Sequence, residues 1–580
     1  MGSAAPRGLC GRDASLKRPV SIACRGVGGR QSRSFVAGIS RKESSRNDAA
    51  ASESAADRRD SKSTSLSPIW VAAGLVAAAL AMVWTQSRPE LNAEAQPYAA
   101  TIPIANAPSS DKLFRLDEVR QHGADSERPW VIKGTGVYDI TDWIESHPGG
   151  RVILRAAGSA LEPYWNIFTI HKRDDVLQIL EQYRIGDVDG RDLKDGHVPH
   201  GTVDDLFKDD PARDPSLIFL TERPCNAESP PSALSSFITK TPLFYVRHHL
   251  WVPRVDPSSY QITIDLGDGS DEKTYTLSDL RTKFPQHTIT GVLQCSGNRR
   301  SHMSEGSGRE ASGLRWGIGA ISNAEWRGPL LRDILRDAGL DLEESATGER
   351  LHAQFTGEDA YGASVPLDKA IDPRGDVLLA CEMNGEELPR DHGYPVRVFV
   401  PGHTGARSVK WVNRVALSDE ESPSQWQQKD YKCFGPNQLR ESVDWGSAVA
   451  IQETPVQSAI TSLRRSSNNL NSADPLLVEG YAFSGGGRKI IRVDVSVDNG
   501  KSWDQARIEP DKARGNKAWS WARWTYKCDS PPASADSQVV VKAVDDAYNV
   551  QPDTHGPTYN FRGNLANAWH RVRVSEASGN

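Results

Sequence analysis

Seven cysteines in 580 residues, at positions 10, 24, 225, 295, 381, 433 and 528, form no Cys-x-x-Cys pair and show no zinc-ligand spacing. This argues against a disulfide framework, and a cysteine with a chemical role here acts singly, through its thiolate. Strong net charge is missing as well. Charged residues make up 25% of the chain and the formal net charge is −6, so there is no basic field for a nucleic acid. Aromatic residues are sparse at 7%, yet 16 of them are tryptophan, which serves either anchored cores or a pocket wall. The apolar run Ile69 to Trp84 has 16 residues. A comfortable membrane span needs about 20. The whole chain is too long for one core, so three folded units plus extensions are expected.

The first 46 residues hold ten Lys or Arg against two acids, Asp13 and Glu43, among Ser, Gly and Ala. That is the composition of an organellar transit peptide, read here over residues 1–68. Arg58, Arg59 and Lys62 precede the apolar segment, residues 69–84. A basic presequence plus a short apolar segment resembles the two-part signals that stop a protein at the inner mitochondrial membrane. Cleavage beyond the segment releases the mature chain into the intermembrane space; retention leaves it anchored. Residues 85–110, with Pro89, Pro97, Pro103 and Pro108, read as a spacer.

A globular pattern begins near residue 111. Trp130-Val131-Ile132 and Val137-Tyr138-Asp139-Ile140 read as strands split by Gly134-Thr135-Gly136. No helix runs through His147-Pro148-Gly149-Gly150, so His147 projects from a loop. His171 follows 24 residues later, after Tyr164, Trp165 and Phe168. Two histidines flanking an apolar pocket suit a six-coordinate haem iron. This motif, its spacing and the closing Tyr183-Arg184-Ile185-Gly186 resemble the cytochrome b5 family over residues 111–188. The resemblance implies a b-type haem with His147 and His171 as axial ligands. Such ligation leaves iron no open position, so the module carries electrons. Residues 111 to 189 hold fourteen Asp or Glu against ten Lys or Arg. This is either a docking face for a basic acceptor such as cytochrome c or a solvated surface.

Residues 189–214 are charged and poor in apolar side chains, a hinge or a loop lying on the surface. Residues 215–438 read as mixed α and β, with helices expected at Pro329 to Ala338 and Pro366 to Ala370. Within them lies Gln294-Cys295-Ser296-Gly297-Asn298-Arg299-Arg300. Two arginines beside a thiol favour the thiolate, which a soft metal prefers; an inert cysteine beside a salt-bridging arginine pair fits the same residues.

This segment, with Glu222 to Glu228, Glu382 to Gly385, Pro389 to Arg397 and Gly405 to Trp411, resembles the sulfite oxidase family in fixed order over roughly 470 residues. The resemblance implies a molybdenum-molybdopterin cofactor with Cys295 as metal ligand. It implies that Tyr245, Val246, Arg247, His248, His249, Asp359, His392, Arg397, Ser408, Val409 and Lys410 hold the cofactor. Sulfite, a small dianion, needs converging cations. The family's arginines map to Arg247, Arg300 and Arg562, its aromatic wall to Trp316, and its active-site tyrosine to Tyr431. Three departures stand out: His248 where many relatives carry Asn, Gln286 for a frequent Arg, and a longer Ser304 to Ser312 stretch.

Residues 439–580 read as all-β. Val493, Val495 and Val497 alternate up to the turn Asp498-Asn499-Gly500, Trp519 and Trp521 share a strand face, and Val539 to Val541 form a buried strand. An immunoglobulin-like sandwich is expected. It is either the homodimerisation domain the resemblance implies or a monomeric accessory. The expected whole is a multidomain α+β oxidoreductase that turns sulfite into sulfate. Its electrons pass one at a time through the haem to cytochrome c in the mitochondrial intermembrane space. The alternatives are a nitrate reductase-like enzyme, in which the haem module follows the sandwich, or a haem carrier with an inactive molybdenum site.

Overall fold

A computed structural model describes residues 112–580 except 145, 148–149, 168–170, 172–173, 201–205, 344–350, 466–473, 510–512, 533, 535, 577 and 580. The expected transit peptide, apolar segment and spacer lie outside the described residues. Among the described residues, no helix is long and apolar enough to cross a membrane.

The first folded unit is built on a four-stranded sheet in the order Leu113–Phe114, Arg184–Val188, Gly136–Asp139, Trp130–Lys133. Side chains alternate across a strand, so Trp130 and Ile132 enter one apolar cluster with Phe114, Val119 and Val188. Val131 enters the opposite one, with Tyr138, Ile140, Leu161 and Trp165. Trp165 of the second cluster stacks on His171.

Beside a two-stranded and a three-stranded sheet, the central unit carries two larger ones. One has the order Gly362–Pro366, His352–Gly357, Val412–Ser418, Gln261–Asp265, Lys273–Thr276. The other runs His287–Gln294, Ile321–Gly328, Glu382–Met383, Glu386–Glu387. The expected helices are present as Leu331–Ala338 and Leu367–Ile371. Leu331, Ile334, Leu335 and Ala338 recur at helical spacing and are all buried. Each buried leucine contributes about 1.5–3 kcal/mol, so Leu335→Asp would detach this helix. The helix Leu277–Thr282 starts at a capping box, in which Thr276 and Asp279 exchange side-chain and backbone hydrogen bonds.

The last unit encloses one apolar core between a five-stranded sheet and a four-stranded sheet. Val493 and Val495 of strand Ile490–Ser496 pair with Ala543 and Val541 of strand Gln538–Asp545 within that core. The turn after the first strand places Asn499 at φ +66° and Gly500 at φ +91°, as an Asn-Gly hairpin requires. Trp519 and Trp521 differ from the expectation, because they stand before the strand Ala522–Cys528. Hydrogen bonds to the central unit draw them off the sheet. Trp519 Nε1 donates to Asp376 at 2.8 Å and Trp521 Nε1 to the Phe237 carbonyl at 2.9 Å.

The end of the expected linker is pinned down. Asp210 accepts from the Val252 amide, Arg390 donates to the Asp209 carbonyl, and Arg213 pairs with Asp210 and Asp391.

Candidate active site

The strand His287–Gln294 ends at Cys295, whose amide donates to the Ala320 carbonyl at 2.9 Å. The loop that follows is held from several sides. Asn298 accepts from the Ala320 amide and donates to the Tyr481 hydroxyl, and Ser296 donates to Asn564. Arg299, at φ +65°, turns the chain into the helix Arg300–Ser307. Gln-Cys-Ser-Gly-Asn-Arg-Arg is thus a rigid platform that presents a thiol at a strand end.

Cys295 lines a cavity together with Tyr245, Arg247, His248, His249, Asp359, His392, Arg397, Ser408, Val409, Lys410 and Tyr431. Of the residues expected to hold a cofactor, only Val246 is missing from this wall. Its side chain turns the other way, into Leu217, Cys225 and Ala227. Alternation along Val246–Arg247 explains it, since Arg247 takes the cavity side.

Charge in this cavity is lopsided. Arg247, Arg397 and Lys410 line it against Asp359, while Asp391 is committed to Arg213 and His248. Burial pushes Lys410 down to about 7, with Arg397 adding repulsion, and Arg397 itself to about 10. Burial also pushes His248 and His392 down to about 3, so both are neutral at neutral pH. Burial would raise Asp391, but hydrogen bonds from His248 and Arg213 reverse this and hold it far below the usual range. His248 links the two sides, with Nε2 2.9 Å from Asp391 Oδ1 and Nδ1 2.6 Å from Lys410 Nζ. Lys410 also donates to the Arg247 and Asp391 carbonyls.

The sulfite-site residues carried over by resemblance divide into two groups. Arg247 and Tyr431 line the cavity, and the Tyr431 hydroxyl is 3.0 Å from His249 Nε2. Arg300, Arg562 and Trp316 lie outside its lining. Arg300 donates to the Arg562 carbonyl at 2.9 Å, the Leu314 carbonyl at 3.0 Å and Asn564 at 3.2 Å, so three of its five N–H groups hold loops. Arg562 pairs closely with Asp430, and its buried Nε has no partner. Trp316 is 1% exposed and shares an apolar cluster with Cys295.

The residues fit an anionic, ring-bearing metal cofactor. A thiol, an uncompensated set of cations and a wall of Phe244, Tyr361 and Trp411 share one space. Gly405 keeps part of that space open, because a Cβ there would lie 2.9 Å from the Tyr245 hydroxyl. Tyr361, Asp391 and Trp411 were not picked out from the sequence as site residues. Asp391 and Trp411 stand within the Pro389 to Arg397 and Gly405 to Trp411 stretches, next to His392 and Lys410, and that adjacency is the one signal for them.

In the first unit the His147 and His171 rings face each other at 6.2 Å between centroids, with planes 6° apart. That gap accommodates two metal–imidazole bonds of about 2 Å each plus the ring radii. Trp165 stacks on His171 at 5.2 Å and closes one side. The pair fits a haem iron with no open position.

Three family models match the chain. They are the oxidoreductase molybdopterin binding domain over residues 249–426, the Mo-co oxidoreductase dimerisation domain over 448–577, and the cytochrome b5-like heme/steroid binding domain over 115–189. Sulfite oxidase of Gallus gallus is 49% identical over 80% of this chain and 100% of its own length. Mitochondrial sulfite oxidase of Homo sapiens is 45% identical over 81% of this chain and 85% of its own. The crystal structure of the sulfane dehydrogenase SoxCD from Paracoccus pantotrophus superposes with a TM-score of 0.50 at 27% identity, covering 62% of this chain and 87% of that one. With that identity spanning the full length of the Gallus gallus protein, and all three domain types in place, this chain belongs to the sulfite oxidase family.

Proposed function

We propose that this chain is a sulfite oxidase that binds molybdenum-molybdopterin and haem, converting sulfite and water into sulfate, two protons and two electrons. The observation that carries this reading is the shared cavity in which Cys295, Arg247 and Tyr431 meet. When bound, the molybdenum cofactor would supply oxygen-atom transfer and two-electron redox chemistry. Cys295 would hold the metal, and Arg397, His392, Ser408, Lys410, His248 and Asp359 would cradle the pterin and its phosphate. Arg247 receives the sulfite dianion, backed by the field of Arg300 and Arg562, both of which lie close enough to Arg247 to feel its charge. Burial keeps Tyr431 protonated, so it offers a hydroxyl donor at the cavity wall. His147 and His171 would ligate the haem iron, and Trp316 would back the substrate pocket.

The finer assignments rest on further support. An excess of acids in residues 111 to 189 supports docking to cytochrome c. The two-sheet C-terminal unit supports an immunoglobulin-like sandwich, and the dimerisation domain supports a homodimer. Mitochondrial relatives and the basic presequence support a mitochondrial home, and the short apolar segment supports the intermembrane space within it. Family models over residues 115–189, 249–426 and 448–577 support domains at 111–188, 215–438 and 439–580.

The test is haem absorption of the holoenzyme after sulfite is added, with and without Cys295→Ser. Prompt reduction in the parent and none in the variant is expected. Haem that stays oxidised in molybdenum-replete parent protein sinks the reading.

A further inference from the structure

Trp251, two residues beyond the cavity residue His249, is touched from three directions. The Arg155 guanidinium lies over its ring at 4.8 Å, Tyr164 meets it edge-on at 5.9 Å, and Phe207 meets it edge-on at 6.2 Å. Arg155 and Tyr164 belong to the haem module, and Phe207 to the linker. Arg155 Nη2 also donates to the Glu358 carbonyl, one residue from Asp359 in the cavity wall. The Tyr164 hydroxyl donates to the Arg155 carbonyl at 2.6 Å, which ties the two contacting residues together.

We propose that Trp251, with the Glu358–Asp359 turn, is the seat on which the haem module docks to receive electrons, and that Arg155 is its latch. The occupant is this chain's own segment 150–165. Its ring chain leads inward: Tyr164 is followed by Trp165, which stacks on His171. The charge complements too, because Arg155 approaches Asp359 on a wall otherwise dominated by cations. An arginine over a tryptophan face is strong enough to favour the seated state yet weak enough to release it. Each sulfite yields two electrons, so the seat serves two one-electron passages per turnover, with no bond made or broken at it.

The inference rests on the sulfite oxidase reading, and the experiment separates the two. Full-length holoenzyme and its Arg155→Gln and Trp251→Ala variants are mixed with sulfite, and haem reduction is followed in a stopped-flow instrument. Sulfite consumption with ferricyanide, a small diffusible oxidant, is measured in parallel, and hydrogen exchange is recorded at residues 150–156 and 358–361. At least ten-fold slower haem reduction and faster exchange at both segments are expected, with ferricyanide-linked consumption retained. Parental haem reduction in the Arg155→Gln variant, with parental exchange, overturns the seat. No ferricyanide-linked sulfite consumption in the parent overturns the enzyme reading instead. Arg155→Gln leaves the fold's apolar clusters untouched, so it decides the matter even if Trp251→Ala fails to fold.

Discussion

The Tyr431 hydroxyl and His249 Nε2 lie 3.0 Å apart on the wall that also presents Cys295. Burial pushes His249 well below its ordinary value and raises Tyr431. A neutral imidazole then accepts at Nε2, and the phenol donates. Tyr431→Phe removes that donor. A fall in kcat of about 100-fold is expected, with haem content unchanged. Steady-state sulfite oxidation checks it, and a parental kcat would deny the hydroxyl any part in proton movement.

Arg247 reaches the cavity from a strand end fixed by Asn226, which accepts from Arg247 Nη1 at 3.1 Å. Arg247→Gln loses a charge-assisted bond to the dianion, on the order of 1.5–3 kcal/mol. The KM for sulfite should therefore rise about 10- to 100-fold. An unchanged KM would show that sulfite binds elsewhere.

His171 faces His147 across the haem gap and stacks on Trp165. In His171→Ala the haem absorption should be lost while molybdenum content stays near parental, since His171 is far in the chain from every residue lining the cavity. Elemental analysis and the absorption spectrum read the two independently. Retained six-coordinate haem would require a different ligand pair.

Five histidines, His248, His302, His392, His403 and His555, are pushed by burial to about 3. In the unfolded chain each titrates near 6.5. Between those values the unfolded state binds protons that the folded state refuses, so stability falls as pH falls below 6.5. Each group contributes a slope of up to about 1.4 kcal/mol per pH unit. Asp391, held low by His248 and Arg213, has the same sign but acts only at lower pH, below the ordinary carboxylate range. The unfolding midpoint should drop steadily from pH 7.5 to 5, and drop less in His248→Asn. A midpoint indifferent to pH in that window would contradict the buried neutral imidazoles.

Local signals made much of this legible in advance. The Asn-Gly turn, the two helices of the central unit and the His-Pro-Gly-Gly loop all follow from backbone preference or motif. Cys295 could be named because a thiol, glycine, asparagine and two arginines sit side by side. Tyr361 and Asp391 could not be given roles, because their meaning comes from partners far away in the chain. Asp391 matters through His248 and Arg213, 143 and 178 residues distant in sequence. Trp519 and Trp521 misled for the same reason. Their alternation is strand-like, but their hydrogen bonds go to another unit.

The three acceptors of Arg300 come from both sides of a domain boundary: Leu314 from the central unit, Arg562 and Asn564 from near the chain's end. A premature stop ahead of Arg562 therefore does not leave a trimmed but working catalyst. It removes the clasp that keeps Arg300 in place, along with Arg562 itself. Loss of the chain from Asn560 onward should therefore weaken substrate capture, although every residue lining the cavity lies upstream of it.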